Sequence, residues 1–410
     1  RPQAETYART LFEALRLPDP HLFGTRYPHQ VSGGQLQRAM VAMAMMCKPG
    51  LIVFDEPTTA LDVTTQVDVL ISIREAIQLF GVAALYITHD LAVVAQMADR
   101  IMVLRHGKTV EEGAVSKMLG HPEHPYTKSL WAVHKIPTRA RSDAPALLSV
   151  NEISAFYGSF QALQKVSAVV GYGQTLAVVG ESGSGKSTLG RVIAGLKAPA
   201  SGTISFSGKP CAPLVRMRSK ETLRKIQIIY QSADTALNPR HTVRKIIGRP
   251  LKFYHGLSGS VRTRRIVELL EMVEMDASYI DRMPGQLSGG QRQRIAIARA
   301  LASEPELIVC DEITSALDQI VQADILQMLV SLQQQLGVSY LFITHDLATV
   351  RAIADDVIVM HQGIVIEQGP KDRVLEPPYQ PYTQLLLSSV PEMTADWLDG
   401  VAALRKSKKG

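Results

Sequence analysis

Short, uninterrupted apolar runs punctuate the chain, and each ends on a polar cluster. Residues 174–180 (QTLAVVG) predict a buried strand, and 187–196 (STLGRVIAGL) predict the opening of an amphipathic helix. The run 307–312 (LIVCDE) predicts a strand that ends in two acids, and 51–56 (LIVFDE) has the same form. A second strand is predicted before each ITHD, over 84–88 and up to 343, and another over 101–104. No run of 18 apolar residues occurs, so no bilayer-spanning helix is expected.

These patterns repeat. VSGGQLQR at 31–38 returns as LSGGQRQR at 287–294, and LIVFDEPTTALD at 51–62 as LIVCDEITSALD at 307–318. YITHDLAVV at 86–94 returns as FITHDLATV at 342–350, and HPYT at 124–127 as QPYT at 380–383. Every offset is 256 residues, which predicts two copies of one domain. GESGSGKST at 180–188 has no first counterpart, so the first copy is expected to be incomplete and the chain truncated at its N-terminal side. Its strands at 51–54, 84–88 and 101–104 are then expected to expose a flank, and residues 1–134 alone to be poorly stable. The expected division is 1–134 for the first copy and its tail, 135–147 for a polar, proline-bearing linker, and 148–410 for a complete second copy with its own tail.

Composition narrows the class without naming it. The chain has 410 residues, 46% of them hydrophobic and 20% charged, which excludes a collagen, a coiled-coil rod or a disordered tail. Lysine and arginine exceed aspartate and glutamate by 44 to 38; a net charge of +6 over this length does not by itself argue for nucleic acid. Cys47, Cys211 and Cys310 form no CxxC pair, so neither a disulfide framework nor a cysteine-rich zinc site is expected, and a reducing cytosol fits.

The chemistry begins at Gly180-Glu181-Ser182-Gly183-Ser184-Gly185-Lys186-Ser187-Thr188, the G-x-x-x-x-G-K-S pattern between a predicted strand and a predicted helix. Glycines let the backbone turn several N–H groups to one point, where the positive end of the following helix adds to the attraction for phosphate. Lys186 supplies a point charge for the β- and γ-phosphates, and the Ser187 hydroxyl suits Mg²⁺. Asp311, at a strand end, is placed to hold Mg²⁺, and Glu312 to orient and polarise an attacking water. Asp55 and Glu56 are presented in the same way. His89 and His345 each close an apolar strand, which favours a γ-phosphate contact. His29, His106 and His361 are expected to have surface or packing roles, His121 and His124 to mark a turn, and the basic end 405–410 to be a solvated tail.

With these residues in place the sequence resembles the ATP-binding cassette (ABC) family. The distinguishing element is SGGQ: Ser32-Gly33-Gly34-Gln35 and Ser288-Gly289-Gly290-Gln291, each followed by a strand with Asp-Glu, then ALD, then a histidine. The resemblance implies an α/β fold of P-loop NTPase type, with a RecA-like core, a helical subdomain and an antiparallel β subdomain. It implies ATP as ligand with Mg²⁺ held by Ser187, Gln231 and Asp311. It implies adenine stacking on Tyr157, and Glu312, His345 and Gln231 as catalytic residues. It also implies that SGGQ grips the γ-phosphate of ATP bound to the opposite domain, and that Asp62 and Asp318 lie in the loop that crosses between domains. On that basis only one composite site is expected, from the second-copy loop and Ser32, Gly33, Gly34 and Gln35.

TALNPRHTV (235–243), HPYTKSL (124–130) and PYTQLLLSSVP (381–391) are similar to the oligopeptide, dipeptide and nickel importer subfamily, in its fused double-cassette form. Ile313 stands where the family usually has proline, and no cysteine-rich tail is present. The implied function is to energise an importer of peptides or related solutes. The implied partners are two membrane permease subunits and an extracytoplasmic solute-binding protein. Peripheral association with the cytoplasmic face of the membrane, self-association through the cassettes and no nucleic acid complete the expectation. Tandem cassettes of the translation type, with a long charged linker, and of the DNA-repair type, with zinc cysteines, fit less well; a non-catalytic remnant is the other alternative.

Overall fold

β7 (Thr175–Val179) is buried at every position, as an uninterrupted apolar run requires when both faces of a sheet are covered. The chain is described here from a computed structural model covering residues 2–58, 61–131, 144–315, 317–394 and 396–407. It divides into two compact units, residues 1–133 with 385–410, and residues 134–384.

The first unit holds β1 (Leu51–Asp55), β2 (Ala83–Ile87), β3 (Arg100–Arg105) and β4 (Lys108–Ala114). β1 and β2 pair in parallel, and β3 and β4 form an antiparallel hairpin. The second unit holds β5 (Ala146–Tyr157), β6 (Phe160–Gly171), β7, β8 (Ser201–Phe206), β9 (Lys209–Pro210) and β10 (Ile226–Ile229). β11 (Leu307–Asp311), β12 (Ser339–Ile343), β13 (Asp356–His361) and β14 (Ile364–Pro370) follow. Its main sheet has the order β10-β11-β12-β7-β13-β14, parallel except for β14, and a second sheet, β6-β5-β8-β9, is antiparallel.

Two hydrophobic layers sandwich the main sheet. On one side the helix Lys186–Ile193 packs Leu189, Val192 and Ile193 among Val309, Leu341 and Ile343 and the inner residues of β5, β6 and β8. On the other, helices Val243–His255, Gly259–Met272, Gly289–Leu301 and Gln319–Leu336 share a core with Ile308, Cys310 and Phe342. Because β7, β11 and β12 run in parallel, their carboxyl ends open on one edge, and the loop at Gly180, the pair Asp311–Glu312 and His345 all follow those ends.

β1 to β4 recur as β11 to β14 at the 256-residue offset seen in the sequence, but their environment differs. Leu51 and Val53 are 56% and 55% exposed, and Leu85, Ile87, Met102 and Leu104 are exposed too. Their counterparts Leu307, Val309, Leu341, Ile343, Ile358 and Met360 are buried. The other face is covered in β1 as in β11: Ile52 and Phe54 pack with Val69, Ile73 and Ala76, and Ile308 and Cys310 lie in the helical core of the second unit.

Two features of the fold bear on the expected boundaries. The linker was placed at 135–147; residues 135–143 lie outside the described residues, and β5 has already begun at Ala146. The second copy is expected to run to 410 with its own tail; in the fold, Leu385–Gly410 packs with the first unit. The physical reason is the helix Trp397–Ser407, whose Leu398 and Val401 bury against Val67, Leu70, Ile71 and Val93. Gln96 fixes this packing by accepting from the Leu398 N–H at 2.9 Å and donating to the Glu392 carbonyl at 2.9 Å. The basic end is therefore not wholly a solvated tail, because Arg405 pairs with Asp68; residues 408–410 lie outside the described residues. Leu398 is fully buried, so Leu398→Ala is expected to destabilise the first unit by about 2–5 kcal/mol. Limited proteolysis should then cut within residues 1–131 earlier while residues 146–384 persist.

Candidate functional site

Two glycines decide the shape of the loop after β7. Gly180 has φ +148°, and a Cβ there would lie 2.1 Å from the Met360 carbonyl oxygen. Gly185, at φ +102°, caps the helix Lys186–Ile193, and a Cβ there would meet the Ala162 carbonyl oxygen at 2.7 Å. Both positions therefore need glycine. Ser184 is buried; its carbonyl accepts from the Gly363 N–H at 3.0 Å, tying the loop to the turn after β13.

Lys186 is only 6% exposed. Its Nζ donates to the carbonyls of Gly180 at 2.7 Å and Glu181 at 2.8 Å, with Ser184 Oγ at 3.5 Å. An ammonium out of water needs such acceptors, and here the loop itself supplies them. Ser187 Oγ donates to Asp311 Oδ1 at 2.8 Å. Burial holds the Asp311 carboxyl above its usual range, and the adjacent Glu312 adds to this; Ser187, Arg191 and Lys186 oppose it.

Glu312 has φ +50°, an uncommon conformation for a residue with a side chain, and its N–H donates to the Ile343 carbonyl at 2.9 Å. Its Oε2 accepts from Gln231 Nε2 at 2.8 Å, and its Oε1 lies 3.6 Å from His345 Nδ1. The His345 imidazole holds the Glu312 carboxyl below the usual carboxylate range against the opposing effect of burial, and Lys186 adds to the depression. In the first unit Glu56 has φ +48° and approaches His89 Nδ1 more closely, at 2.7 Å. Asp55 is exposed there, whereas Asp311 is buried beside Ser187.

Tyr157 stands at the end of β5 with 43% of its surface exposed. Burial pushes its phenol up, but hydrogen bonds from Arg191 and Thr188 and the charges of Arg191 and Lys197 outweigh it, leaving the pKa below the usual value. Lys197 Nζ lies 4.3 Å from the ring centre.

The SGGQ turns form reciprocal caps. Ser288 Oγ accepts from the Gln291 N–H at 3.3 Å while Gln291 Oε1 accepts from the Ser288 N–H at 3.0 Å; the same pair at Ser32 and Gln35 measures 3.3 and 3.1 Å. Gly34 and Gly290 pack where a Cβ would lie 2.3 Å from Thr65 Cγ2 and 2.5 Å from Val321 Cγ1. Gly33 and Gly289 are exposed at these helix starts. Asp62 and Asp318 cap the helices that follow them, each accepting at 3.0 Å from the N–H three residues on.

The second unit thus gathers Gly180 to Thr188, including exposed Ser182 and Gly183, with Gln231, Asp311, Glu312 and His345 along one sheet edge, and Tyr157 beside Thr188. Ser288 to Gln291 cap a helix of the same unit, and Ser32 to Gln35 cap a helix of the first. Sequence reasoning missed Arg191 and Lys197 at Tyr157, for which no local pattern exists. His361, expected in a surface or packing role, packs its ring 4.2 Å from that of Tyr382, and its Nδ1 lies 3.7 Å from Glu181 Oε2. Ile313, in the place of a proline, is buried in the core. His124 marks a turn: its Nδ1 accepts from the Tyr126 N–H at 3.1 Å. Among the described residues no group of three or more His, Cys, Asp or Glu side chains forms a metal cluster, and no helix is long and apolar enough to cross a membrane.

Comparison with known proteins follows the same lines. The family "ABC transporter" matches residues 3–59 and 163–315. The family "Oligopeptide/dipeptide transporter, C-terminal region" matches twice, at 110–152 and 366–409. The glutathione import ATP-binding protein GsiA of Salmonella typhimurium is 39% identical over 429 residues, covering 95% of this chain and 69% of that protein. Its counterpart in Escherichia coli K12 is 37% identical over 430 residues, with the same coverage. Among solved structures, cbiO1 of Clostridium perfringens, part of the ABC transporter complex cbiONQ, aligns at a TM-score of 0.51 and 30% identity, covering 56% of this chain and 90% of that one.

Proposed function

The chain belongs to the ABC transporter family of ATP-binding proteins, in the branch with oligopeptide/dipeptide-type C-terminal regions, and from that premise we propose that it hydrolyses ATP to energise import of peptides or related small solutes, glutathione-like molecules among them. The observation that carries this reading is the convergence of Lys186, the Ser187–Asp311 pair and the Gln231–Glu312–His345 group at one sheet edge.

The loop suits a triphosphate. Lys186 rests on carbonyls that it can exchange for phosphate oxygens without leaving the loop, and the amides that follow Gly180 supply further donors. Ser187 and Asp311 offer hard oxygen ligands and Gln231 a third, which fits Mg²⁺; bound there, the ion would neutralise phosphate charge. Glu312, kept anionic by His345 and oriented by Gln231, accepts a hydrogen bond from the attacking water and draws its proton. His345 would contact the terminal phosphate, and Tyr157 would stack its ring on adenine. A signature turn of the Ser32 or Ser288 kind on a facing cassette closes over the γ-phosphate with its helix amides; loss of that phosphate on hydrolysis releases the closure.

An ATP-binding subunit of this family works with membrane permeases. Here they are proposed to be two subunits served by an extracytoplasmic solute-binding protein, with the ATPase held at the cytoplasmic face of the membrane through them. Nucleic acid is not a proposed partner. Mg²⁺-dependent release of phosphate from ATP by the purified chain, and its co-purification with a co-expressed permease pair, are the expected results. A chain that neither hydrolyses ATP nor holds permease would refute the proposal.

A further inference from the structure

The tail motif starting at Gln380 reaches the phosphate loop. Tyr382 Oη accepts a hydrogen bond from the Glu181 N–H at 3.3 Å. The Tyr382 ring lies 4.2 Å, centroid to centroid, from the His361 ring, and His361 Nδ1 is 3.7 Å from Glu181 Oε2. The next residue, Thr383, is buried, and its Oγ1 donates to Glu367 Oε2 at 2.6 Å, so the motif is anchored to β14.

Glu181 is therefore held on both sides of its own backbone. Its N–H goes to Tyr382, and its carbonyl accepts from Lys186 at 2.8 Å. Its side chain introduces a negative charge into a loop whose amides would face a polyanion, and like charges at close range repel. The His361 ring lies beside that carboxylate and packs on Tyr382, which limits where the carboxylate can go. The first unit supplies an internal comparison: Tyr126, 256 positions before Tyr382, stacks over the Arg105 guanidinium at 4.6 Å, and Arg105 is the register equivalent of His361. A tail tyrosine thus packs on the side chain at this register position in both units, although the described residues of the first contain no phosphate loop. What the second unit adds is the hydrogen bond into the loop.

We propose that Tyr382 is a positioning residue for the nucleotide site: with His361 it fixes the Glu181 peptide and carboxylate, and so sets the phosphate loop in its binding shape before nucleotide arrives. This rests on the proposed ATP hydrolysis but is tested separately from it. Tyr382→Phe keeps the ring against His361 and removes only the hydroxyl. In the full chain it is expected to raise the KM for ATP, and the dissociation constant of a fluorescent ATP analogue, about three- to tenfold. Turnover at saturation should stay within about twofold and the melting temperature within about 2 °C. Hydrogen exchange at the amides of residues 181–184 should accelerate.

Unchanged analogue affinity and unchanged loop exchange would overturn the proposal. So would an affinity loss accompanied by a fall in melting temperature, because that marks a merely structural role. If the wild-type chain hydrolyses no ATP, the function proposed above fails, while analogue binding and loop exchange still decide the role of Tyr382.

Discussion

Lys186→Ala is expected to reduce phosphate release by the 410-residue chain by about a hundredfold or more, the scale of losing one preorganised donor to a charge that develops in the transition state. The side chain is buried, and its ammonium is bonded to the loop's own carbonyls, a position from which no other lysine or arginine is expected to substitute for it. Its removal also leaves the carbonyls of Gly180 and Glu181 without their ammonium donor. Lys186→Arg should fail too, since a planar guanidinium does not fit acceptors arranged around a point charge. The described residues contain one such loop, and steady-state phosphate release by the purified variants is the measurement. Hydrolysis by Lys186→Ala within tenfold of wild type would show that this loop is not where ATP is consumed.

Glu312→Gln is expected to separate binding from chemistry. The two side chains have nearly the same shape, and an amide oxygen at this position can still accept from Gln231. What disappears is the anion that His345 stabilises at neutral pH. A water aligned by an amide instead of a carboxylate cannot pass on its proton, and a loss of about 10²–10⁴-fold in turnover is expected. Affinity for ATP should be preserved, and the closed assembly should persist because the γ-phosphate is not removed. Rapid-quench hydrolysis with parallel nucleotide-binding measurements checks both halves. Unchanged turnover would remove Glu312 from the role of water-positioning group.

Much of the site was legible in the sequence because its chemistry is local. The G-x-x-x-x-G-K-S run carries its own strand and helix signals, and apolar runs ending in acids read as strands delivering carboxylates. Long-range placement was not legible. Tyr382 and Glu181 are 201 residues apart, and nothing at either position signals the other. Leu51 and Leu307 are the same residue in nearly the same local sequence, yet one is 56% exposed and the other is buried. Periodicity reports that a strand can bury both faces; it does not report whether both faces are covered. The C-terminal helix is the same kind of case. Leu398 and Val401 look like any amphipathic stripe, and their partners on the helix Val63–Phe80 follow only from the three-dimensional arrangement.

That last packing ties the fate of the front of the polypeptide to its rear. Arg74 and Asp399, paired across the contact, are 325 positions apart. At about 5–20 residues per second, the ribosome needs roughly tens of seconds to deliver the second after the first. Throughout that interval Val67, Leu70 and Ile71 of the nascent chain lack their final cover. A premature stop codon just ahead of Trp397 would make the condition permanent, so a late nonsense mutation should injure the first unit while sparing the nucleotide loop.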